Sequence, residues 1–483
     1  MEPMMEPRLE GRRVVVVGAG RTGVAVARFA TERGARAVLT DVRAESALAG
    51  ALAGLPAAVE LELGGHREAS FRAADLIVIS PGVPPSLPEL RAARDAGIPV
   101  LGEVELASRY VKAPIVAVTG TNGKSTVTSL CGEIAVATGR PAFVGGNLGT
   151  PLITAVGTPA AEVGGIVVCE VSSFQLETCE TFHPRAAVLL NITPDHLDRH
   201  GSMTAYADAK MRVVRNLGEG DVFVWNEDDP VSAEAYGRHA GGWLPTLTYS
   251  TRGRPQHRWV RDLGDGVVSF EVGGYLDGET LVLRLPPPAA QEEERYPASE
   301  LALVGRHNLG NALAAFLAMR GSGVATAAEV REGARRFRPL PHRMELVGEW
   351  HGVRFYDDSK GTNVAAVVAS LDGFPKPFLL IAGGRDKGGS YAPLREVLGR
   401  NMARGAILIG EAADKIASAL EGVVPIHRAA SMDEAVTRAA ALAVGGDAVV
   451  LSPACSSFDM FDNYEHRGRV FRAAVAQLGD QRD

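Results

Sequence analysis

The stretch Pro114-Ile-Val-Ala-Val-Thr-Gly-Thr-Asn-Gly-Lys-Ser-Thr126 constrains this chain more than any other. Its Val- and Ile-rich run reads as a buried parallel strand. The run breaks into Gly120-Thr121-Asn122-Gly123, then Lys124-Ser125-Thr126, and a helical pattern follows over Val127–Thr138. Strand, glycine-rich turn and helix N-terminus in succession make an anion site, because backbone N–H groups converge there and the helix dipole supports negative charge. Lys124 is placed to reach terminal phosphates, and the Ser125 hydroxyl to ligate Mg²⁺. The usual Gly-x4-Gly-Lys spacing puts its first glycine at Val118, whereas the nearby glycine is Gly120, so the loop is a shortened variant. An ordinary turn with a surface lysine accounts poorly for the strand and the Lys-Ser-Thr run together. The expectation is a nucleoside triphosphate site.

At 483 residues the chain allows about three domains of roughly 100–200 residues each. Apolar residues make up 46%, with 55 Gly, which suits an α/β protein with many tight βα turns. The net charge of −7 argues against a general nucleic-acid or membrane-surface binder. The four cysteines lack CxxC spacing, which argues against a structural-zinc or disulfide framework and fits a reducing cytosol. The N-terminus has no basic-then-apolar signal pattern, and no apolar run reaches membrane-spanning length. The expectation is a cytoplasmic monomer with no nucleic-acid or membrane partner.

Upstream, Arg13-Val-Val-Val-Val-Gly-Ala-Gly-Arg-Thr-Gly23 is a strand followed by Gly18-x-Gly20-x-x-Gly23 and a helix. A second strand, Ala37–Thr40, ends in Asp41, near where the acidic ribose ligand of a dinucleotide fold sits. Alone, this predicts an NAD-dependent dehydrogenase. A glycine turn of this kind holds any diphosphate, however, and needs no nicotinamide. Arg43 also offers a guanidinium for a further anionic group, and no His or Tyr-x-x-x-Lys suited to hydride chemistry stands out downstream. Both readings share a small Rossmann-like domain.

The central region loads further strand ends. Gly145-Gly-Asn147-Leu-Gly149 is a glycine-rich loop with one amide, and Gly165–Glu170 is a buried strand ending in a carboxylate. Ligands of open parallel sheets collect at that end, and a carboxylate there is costly unless paired or metal-bound. Glu170 reads as a second Mg²⁺ ligand or as a cap on the next helix. Ala186–Asn191 runs into Thr-Pro-Asp195-His196, where His196 is a candidate ligand for a second metal ion, while His200 is read as a surface residue. Lys210 lies in a helix, Tyr206–Arg215, that would ordinarily expose it. From Trp243 to Leu285 short alternating runs with Gly-Asp-Gly turns indicate β-hairpins. His307, Asn308 and Asn311 share one face near the start of a long helix, as base-edge recognition or a mere cap.

Pro339-Leu-Pro341-His342-Arg343 reads as a hinge, with Arg343 a phosphate contact. Strands at Phe355–Asp358, Phe378–Gly384, Ala406–Gly410 and Ala448–Ala454 then form another Rossmann-like domain. They put Lys360, Thr362, Lys387 and Ser457 on one rim, with Lys387 usable as an anion clamp.

Gly120-Thr-Asn-Gly-Lys-Ser-Thr126, Glu170-Val-Ser-Ser-Phe-Gln-Leu-Glu177, Asn191-Ile-Thr-Pro-Asp-His-Leu-Asp198, His307-Asn-Leu-Gly-Asn311, His342-Arg343 and Asp358-Ser-Lys-Gly-Thr-Asn363 occur in the order found in the Mur ligases, which the chain resembles along its length. The tail Ser452–Gly468 is similar to that of the members that add D-glutamate. The resemblance implies a three-domain α/β fold. Residues 1–105 would form a UDP-substrate-binding Rossmann-like domain, and residues 106–338 a P-loop-type ATPase domain with a parallel sheet plus a small β-sheet. Residues 339–483 would form a Rossmann-like domain that takes the amino acid. It implies ATP, UDP-N-acetylmuramoyl-L-alanine and D-glutamate as substrates, joined through an acyl phosphate with Lys124, Glu170, His196 and Lys210 in the catalytic centre. Two Mg²⁺ ions would be held by Ser125, Glu170, His196 and a carbamylated Lys210. Gly120–Thr126, Asn308, Asn311, Arg343, Asp358 and Lys360 match ATP contacts. Arg21, Thr22, Asp41, Arg43, Ser80, Gly82, Asn147 and His196 match positions around the UDP-sugar, and Thr362, Lys387, Ser457, Phe458 and Tyr464 the D-glutamate pocket. Gly361 stands where Ala is common, and Tyr464 where Phe is common.

Overall fold

A computed structural model describes residues 7–239, 246–262, 267–287, 292–303, 305–386 and 388–480. The chain divides into two compact units, Met1–Glu300 with Asn311–Phe337, and Leu301–Gly310 with Arg338–Asp483.

Among the described residues the first unit opens with five strands, β1 (Arg13–Val17), β2 (Arg36–Asp41), β3 (Glu60–Leu63), β4 (Leu76–Ile79) and β5 (Val100–Gly102). They pair in the order β3-β2-β1-β4-β5, all parallel. Order reverses between β1 and β4, so the crevice beyond their C-terminal ends is where a ligand of such a sheet sits. Val14 to Val17 are fully buried, as the unbroken apolar run requires of a strand covered on both faces.

The second sheet of this unit contains β6 (Ile115–Thr119), β7 (Ala142–Gly146), β8 (Ile166–Glu170), β9 (Ala186–Leu189), β10 (Val222–Asn226), β11 (Thr246–Ser250), β14 (Gly273–Asp277), β15 (Thr280–Arg284) and β16 (Glu294–Pro297). Its order is β16-β15-β14-β11-β10-β9-β6-β8-β7, and β6 pairs in parallel with both β8 and β9. The antiparallel strands β14 to β16 continue this same sheet through a parallel β11–β14 pairing. Among the described residues the ribbon β12 (Arg258–Asp262) and β13 (Val267–Glu271) stands as a separate two-stranded sheet. The expected small β-sheet is therefore mostly an extension of the large one. One apolar cluster runs through both sheets of the unit, from Val14 and Val16 through Leu106 and Leu152 to Ala187 and Phe223.

In the second unit β17 (Glu345–Trp350), β18 (Val353–Asp357), β19 (Phe378–Gly383), β20 (Ala403–Ile409), β21 (Ile426–Arg428) and β22 (Ala448–Leu451) form a six-stranded sheet. Its order is β17-β18-β22-β19-β20-β21, parallel except for the antiparallel edge strand β17. Apolar clusters cover both faces, one around Leu380 and Leu394, the other around Ile381 and Phe471. No helix among the described residues is long and apolar enough to cross a membrane.

Candidate active site

The turn after β6 takes the backbone that its glycines permit. Gly120 has φ +147° and Gly123 φ +86°, a region that side chains disfavour. A Cβ on Gly123 would also lie 2.5 Å from Asn311 Oδ1. The turn is fastened to the chain leaving β9. Thr121 N donates to Asn191 O (2.8 Å), Asn122 N to Asn191 Oδ1 (2.9 Å), and Asn191 Nδ2 returns a bond to Asn122 O (3.0 Å). The helix Lys124–Ala137 begins here with Ser125 and Thr126 buried in its first turn. Lys124 Nζ folds back over the turn, donating to Gly120 O and Thr121 O at 2.9 Å each.

Glu170 ends β8 with 2% exposure. Its Oε1 accepts Asn147 Nδ2 at 2.6 Å, while Oε2 is buried without a hydrogen-bond partner. The following helix is capped by Ser172 and Gln175, each side chain bonded to the other's backbone N–H, so Glu170 is not its cap. A buried carboxylate oxygen with nothing to accept is the donor a divalent cation needs.

Lys210 corrects an expectation. The helix Met203–Met211, capped by Ser202, turns Tyr206, Ala207, Lys210 and Met211 inward, leaving Lys210 1% exposed. Its Nζ donates to Gly120 O at 2.8 Å and lies 4.6 Å from the Tyr206 ring centroid. Burial, reinforced by the neighbouring Lys124 charge, holds its pKa well below the ordinary lysine value. Tyr206 in turn places its hydroxyl 3.1 Å from Thr121 Oγ1.

His196 sits in the left-handed region (φ +53°) with an exposed side chain, its ring 4.8 Å from that of Phe174. His200, expected on the surface, has a side chain only 4% exposed. It bonds Ser173 Oγ (3.0 Å), pairs with Glu177 and packs against Phe174 and Tyr206. Its spacing from His196 was visible in the sequence; the aromatic residues that enclose it come from other segments.

At the ends of β1 and β4, Ala19 N donates to Asp41 Oδ2 (2.7 Å) and Ser80 Oγ to Gly18 O (3.0 Å). A Cβ on Gly23 would lie 1.8 Å from Gly18 O, so this turn tolerates no side chain there. Asp41 is fully engaged: Oδ1 accepts Arg43 N and Nε (both 2.9 Å), and Oδ2 accepts Arg43 Nη2 (2.7 Å) beside the Ala19 bond. The Arg43 side-chain bonds lead in holding its pKa far below the ordinary carboxylate value. Asp41 thus positions Arg43 and the glycine turn rather than presenting a vacant acceptor to a ribose. Arg21 Nη1 donates to Gly149 O (2.8 Å), joining this turn to the loop that carries Asn147. Thr22 is half-buried nearby in sequence, and Gly82 is exposed in the loop after β4.

In the second unit, His342 adopts φ +63° and pairs through Nδ1 with Asp357 Oδ2 at 2.6 Å. Lys360 N donates to His342 O, and Lys360 Nζ lies 3.7 Å from the Tyr464 ring centroid. Asp358 accepts Ser452 Oγ (2.6 Å), and burial pushes its carboxyl up to about 6. Ser457 is buried, Phe458 is 63% exposed, and Arg343 and Thr362 are half-buried. Asn308 and Asn311 lie in the helix Arg306–Gly321, and Lys387 lies outside the described residues. Sequence reasoning missed Arg467. Its side chain is fully buried and donates to Ser359 Oγ (3.0 Å), Ser359 O (2.9 Å) and Cys455 O (3.2 Å). The available signal was an arginine among the polar residues of the tail motif.

Family models match three successive stretches: "Mur ligase MurD-like, N-terminal domain" over residues 12–102, "Mur ligase middle domain" over 118–319, and "Mur ligase, glutamate ligase domain" over 342–455. The UDP-N-acetylmuramoylalanine–D-glutamate ligase of Geobacter metallireducens is 47% identical over 477 residues, covering 98% of each chain. That of Anaeromyxobacter dehalogenans is 46% identical over 480 residues, covering 98% of this chain and 99% of its own. Among solved structures, a pseudomurein peptide ligase type C from Methanothermus fervidus matches with TM-score 0.59 at 19% identity, covering 97% of this chain and 100% of its own. The MurF ligase of Thermotoga maritima in complex with ADP matches with TM-score 0.57 at 17% identity, covering 99% of this chain and 100% of its own. The structures share the fold, and the full-length identity fixes the lineage: the chain belongs to the Mur ligase family.

Proposed function

We propose that this protein is an ATP-dependent ligase that adds D-glutamate to UDP-N-acetylmuramoyl-L-alanine in the cytoplasmic synthesis of peptidoglycan precursors. The substrate carboxylate attacks the γ-phosphorus of ATP, the bond to the bridging oxygen breaks, and ADP leaves behind an acyl phosphate. The amine of D-glutamate then attacks the acyl carbon, the tetrahedral intermediate expels phosphate, and an amide remains after loss of a proton.

In this reading the turn Gly120–Thr126 holds the triphosphate by its backbone N–H groups. Lys124 leaves the carbonyls of Gly120 and Thr121 to meet the charge that builds on the transferring phosphoryl oxygens, where positioning and electrostatics dominate. Ser125, Glu170, His196 and Lys210 would hold Mg²⁺, two ions in our reading, which when bound neutralises phosphate charge. The unpartnered Glu170 Oε2 supports that assignment. Lys210 is held toward its neutral amine, the form that adds to CO₂. A new N–C bond forms, one proton leaves, and the product is a carbamate whose single negative charge is shared by its two oxygens.

We assign Arg21, Thr22, Asp41, Arg43, Ser80, Gly82, Asn147 and His196 to the UDP-substrate, with Asp41 acting through Arg43 and Ala19. Asn308, Asn311, Arg343, Asp358 and Lys360 are assigned to ATP, and Thr362, Lys387, Ser457, Phe458 and Tyr464 to D-glutamate. The corresponding divisions are residues 1–105, 106–338 and 339–483.

One observation carries the reaction class: adjacent strands β6 and β8 end in a phosphate-type turn and in a buried carboxylate oxygen without a partner. The choice of substrates rests on similarity to D-glutamate ligases over 98% of the chain. The test is phosphate release from Mg·ATP and UDP-N-acetylmuramoyl-L-alanine with D-glutamate, L-glutamate, L-lysine or meso-diaminopimelate. Release that requires D-glutamate is expected. Release with another amino acid instead would overturn the amino-acid assignment, and NAD binding with no release at all would overturn the ligase.

A further inference from the structure

Two glutamates open the helix Glu103–Ser108, and they are treated oppositely by the fold. Glu105 is fully buried and saturated: its carboxylate accepts Glu180 N (2.9 Å), Thr181 N (3.0 Å), Phe182 N (3.1 Å) and Arg109 Nη2 (2.8 Å). Glu103 is 2% exposed, and its Oε1 accepts Ile153 N at 2.6 Å. Its Oε2 is buried without a hydrogen-bond partner. Burial pushes the Glu103 carboxyl up to about 7, against the pull of the Ile153 and Leu152 amides. A buried oxygen left unmatched is a standing cost, so its retention calls for a reason.

The segment that Glu103 grips supplies one. Residues 146–153 run from the end of β7 into a 3-10 turn at Leu152–Ala155, with the loop between closed by Gly146 N to Thr150 O (2.7 Å). Gly146 has φ +95°, and a Cβ on Gly145 would lie 2.4 Å from Thr150 O. At one end Asn147 donates its N to Glu170 O (2.8 Å) and its Nδ2 to Glu170 Oε1 (2.6 Å). In its middle Gly149 O receives Arg21 (2.8 Å). At the far end stands Glu103.

We propose that Glu103 is a positioning residue: by holding the Ile153 amide it fixes the far end of the 146–153 segment, and so sets Asn147 and Arg21 for the UDP-substrate. This rests on the ligase reading above. The acceptor at Oε1 does the work, so a residue that keeps an acceptor there keeps the function. Glu103→Gln retains the acceptor, Glu103→Met fills the same space without one, and Glu103→Asp withdraws the acceptor by one methylene.

The test compares these variants by calorimetric titration with UDP-N-acetylmuramoyl-L-alanine in the absence of ATP, and by the KM for each substrate. Expected for Glu103→Met is about tenfold weaker binding of the UDP-substrate, the scale of one lost buried hydrogen bond. The KM for ATP should stay within about twofold of wild type, well inside that same tenfold scale. Glu103→Gln should bind as wild type does. If Glu103→Met does not yield folded protein, Glu103→Asp is expected to show the same selective weakening. Unchanged binding in the folded Met or Asp variant, or equal weakening toward both nucleotides, overturns the proposal. A wild-type protein that binds the UDP-substrate but does not release phosphate with D-glutamate overturns the reaction reading and leaves this inference standing.

Discussion

The side-chain nitrogens of Lys124 and Lys210 meet on one acceptor: both donate to the carbonyl oxygen of Gly120, at 2.9 and 2.8 Å. Burial, with the Lys124 charge beside it, lowers the pKa of Lys210 well below the ordinary lysine value.

Replacing Lys210 should separate stability from activity. Gly120 O keeps its bond from Lys124 when Lys210 is replaced, and an apolar side chain of similar length carries no cost of burying a charge. Lys210→Met is expected to keep its urea midpoint while ligase activity falls at least ~100-fold, the usual cost of losing a charge-stabilising group. Bicarbonate should not restore Lys210→Ala, whereas a short carboxylic acid should do so in part. In ¹³C-bicarbonate the wild type should show a carbamate carbon signal that Lys210→Met lacks. Full activity in either variant would refute the assignment.

Asp41 should matter to folding as well as to substrate binding. Its folded pKa is depressed, so its contribution is present above the unfolded value of about 3.9 and is lost as pH falls through the folded value. Asp41→Asn should therefore cost about 1–2 kcal/mol at pH ~7, and the gap to wild type should close in strong acid. Chemical denaturation across that range is the measurement. A gap that widens on acidification would have the wrong sign.

His183 gives the opposite pH dependence. Its Nε2 lies 2.6 Å from Asp221 Oδ2, and that bond raises the imidazole pKa. The stabilisation is full below the unfolded value of about 6.5 and fades as pH rises through the folded one. His183→Gln should differ most from wild type near pH ~6 and converge with it by pH ~9. The effect is small, because the histidine side chain is 40% exposed. Thermal melts at both pH values decide it.

Arg467 is expected to be a stability residue of the second unit. Removing it strands buried carbonyls of Ser359 and Cys455, so Arg467→Ala should cost about 3 kcal/mol. Arg467→Lys should recover little, since a lysine cannot reach the Ser359 and Cys455 acceptors with one planar fork. Denaturant unfolding of the two variants tests this, and a lysine variant as stable as wild type would contradict it.

Local sequence was enough for the strand–turn–helix at Gly120 and for the carboxylate at the end of β8, because each depends on contiguous residues. It was not enough for Lys210 or His200. Their burial is set by Gly120, Phe174 and Tyr206, partners that are brought to them only once the sheet has formed. Hairpins between Trp243 and Leu285 were readable, but the fusion of β14 and β15 to the large sheet was not, since it depends on the long-range β11–β14 pairing. Asp41 was conspicuous at the right place in a dinucleotide-like motif. That its oxygens are already occupied by Ala19 and Arg43 is a tertiary fact.

That occupancy also bears on what the first sheet turns away. A dinucleotide seeking an acceptor for its ribose diol would have to pull apart the Asp41–Arg43 pair and free the amide of Ala19 before gaining a single bond. At Asp41, turning such a ligand away needs no blocking side chain. Its carboxylate has no acceptor left to offer.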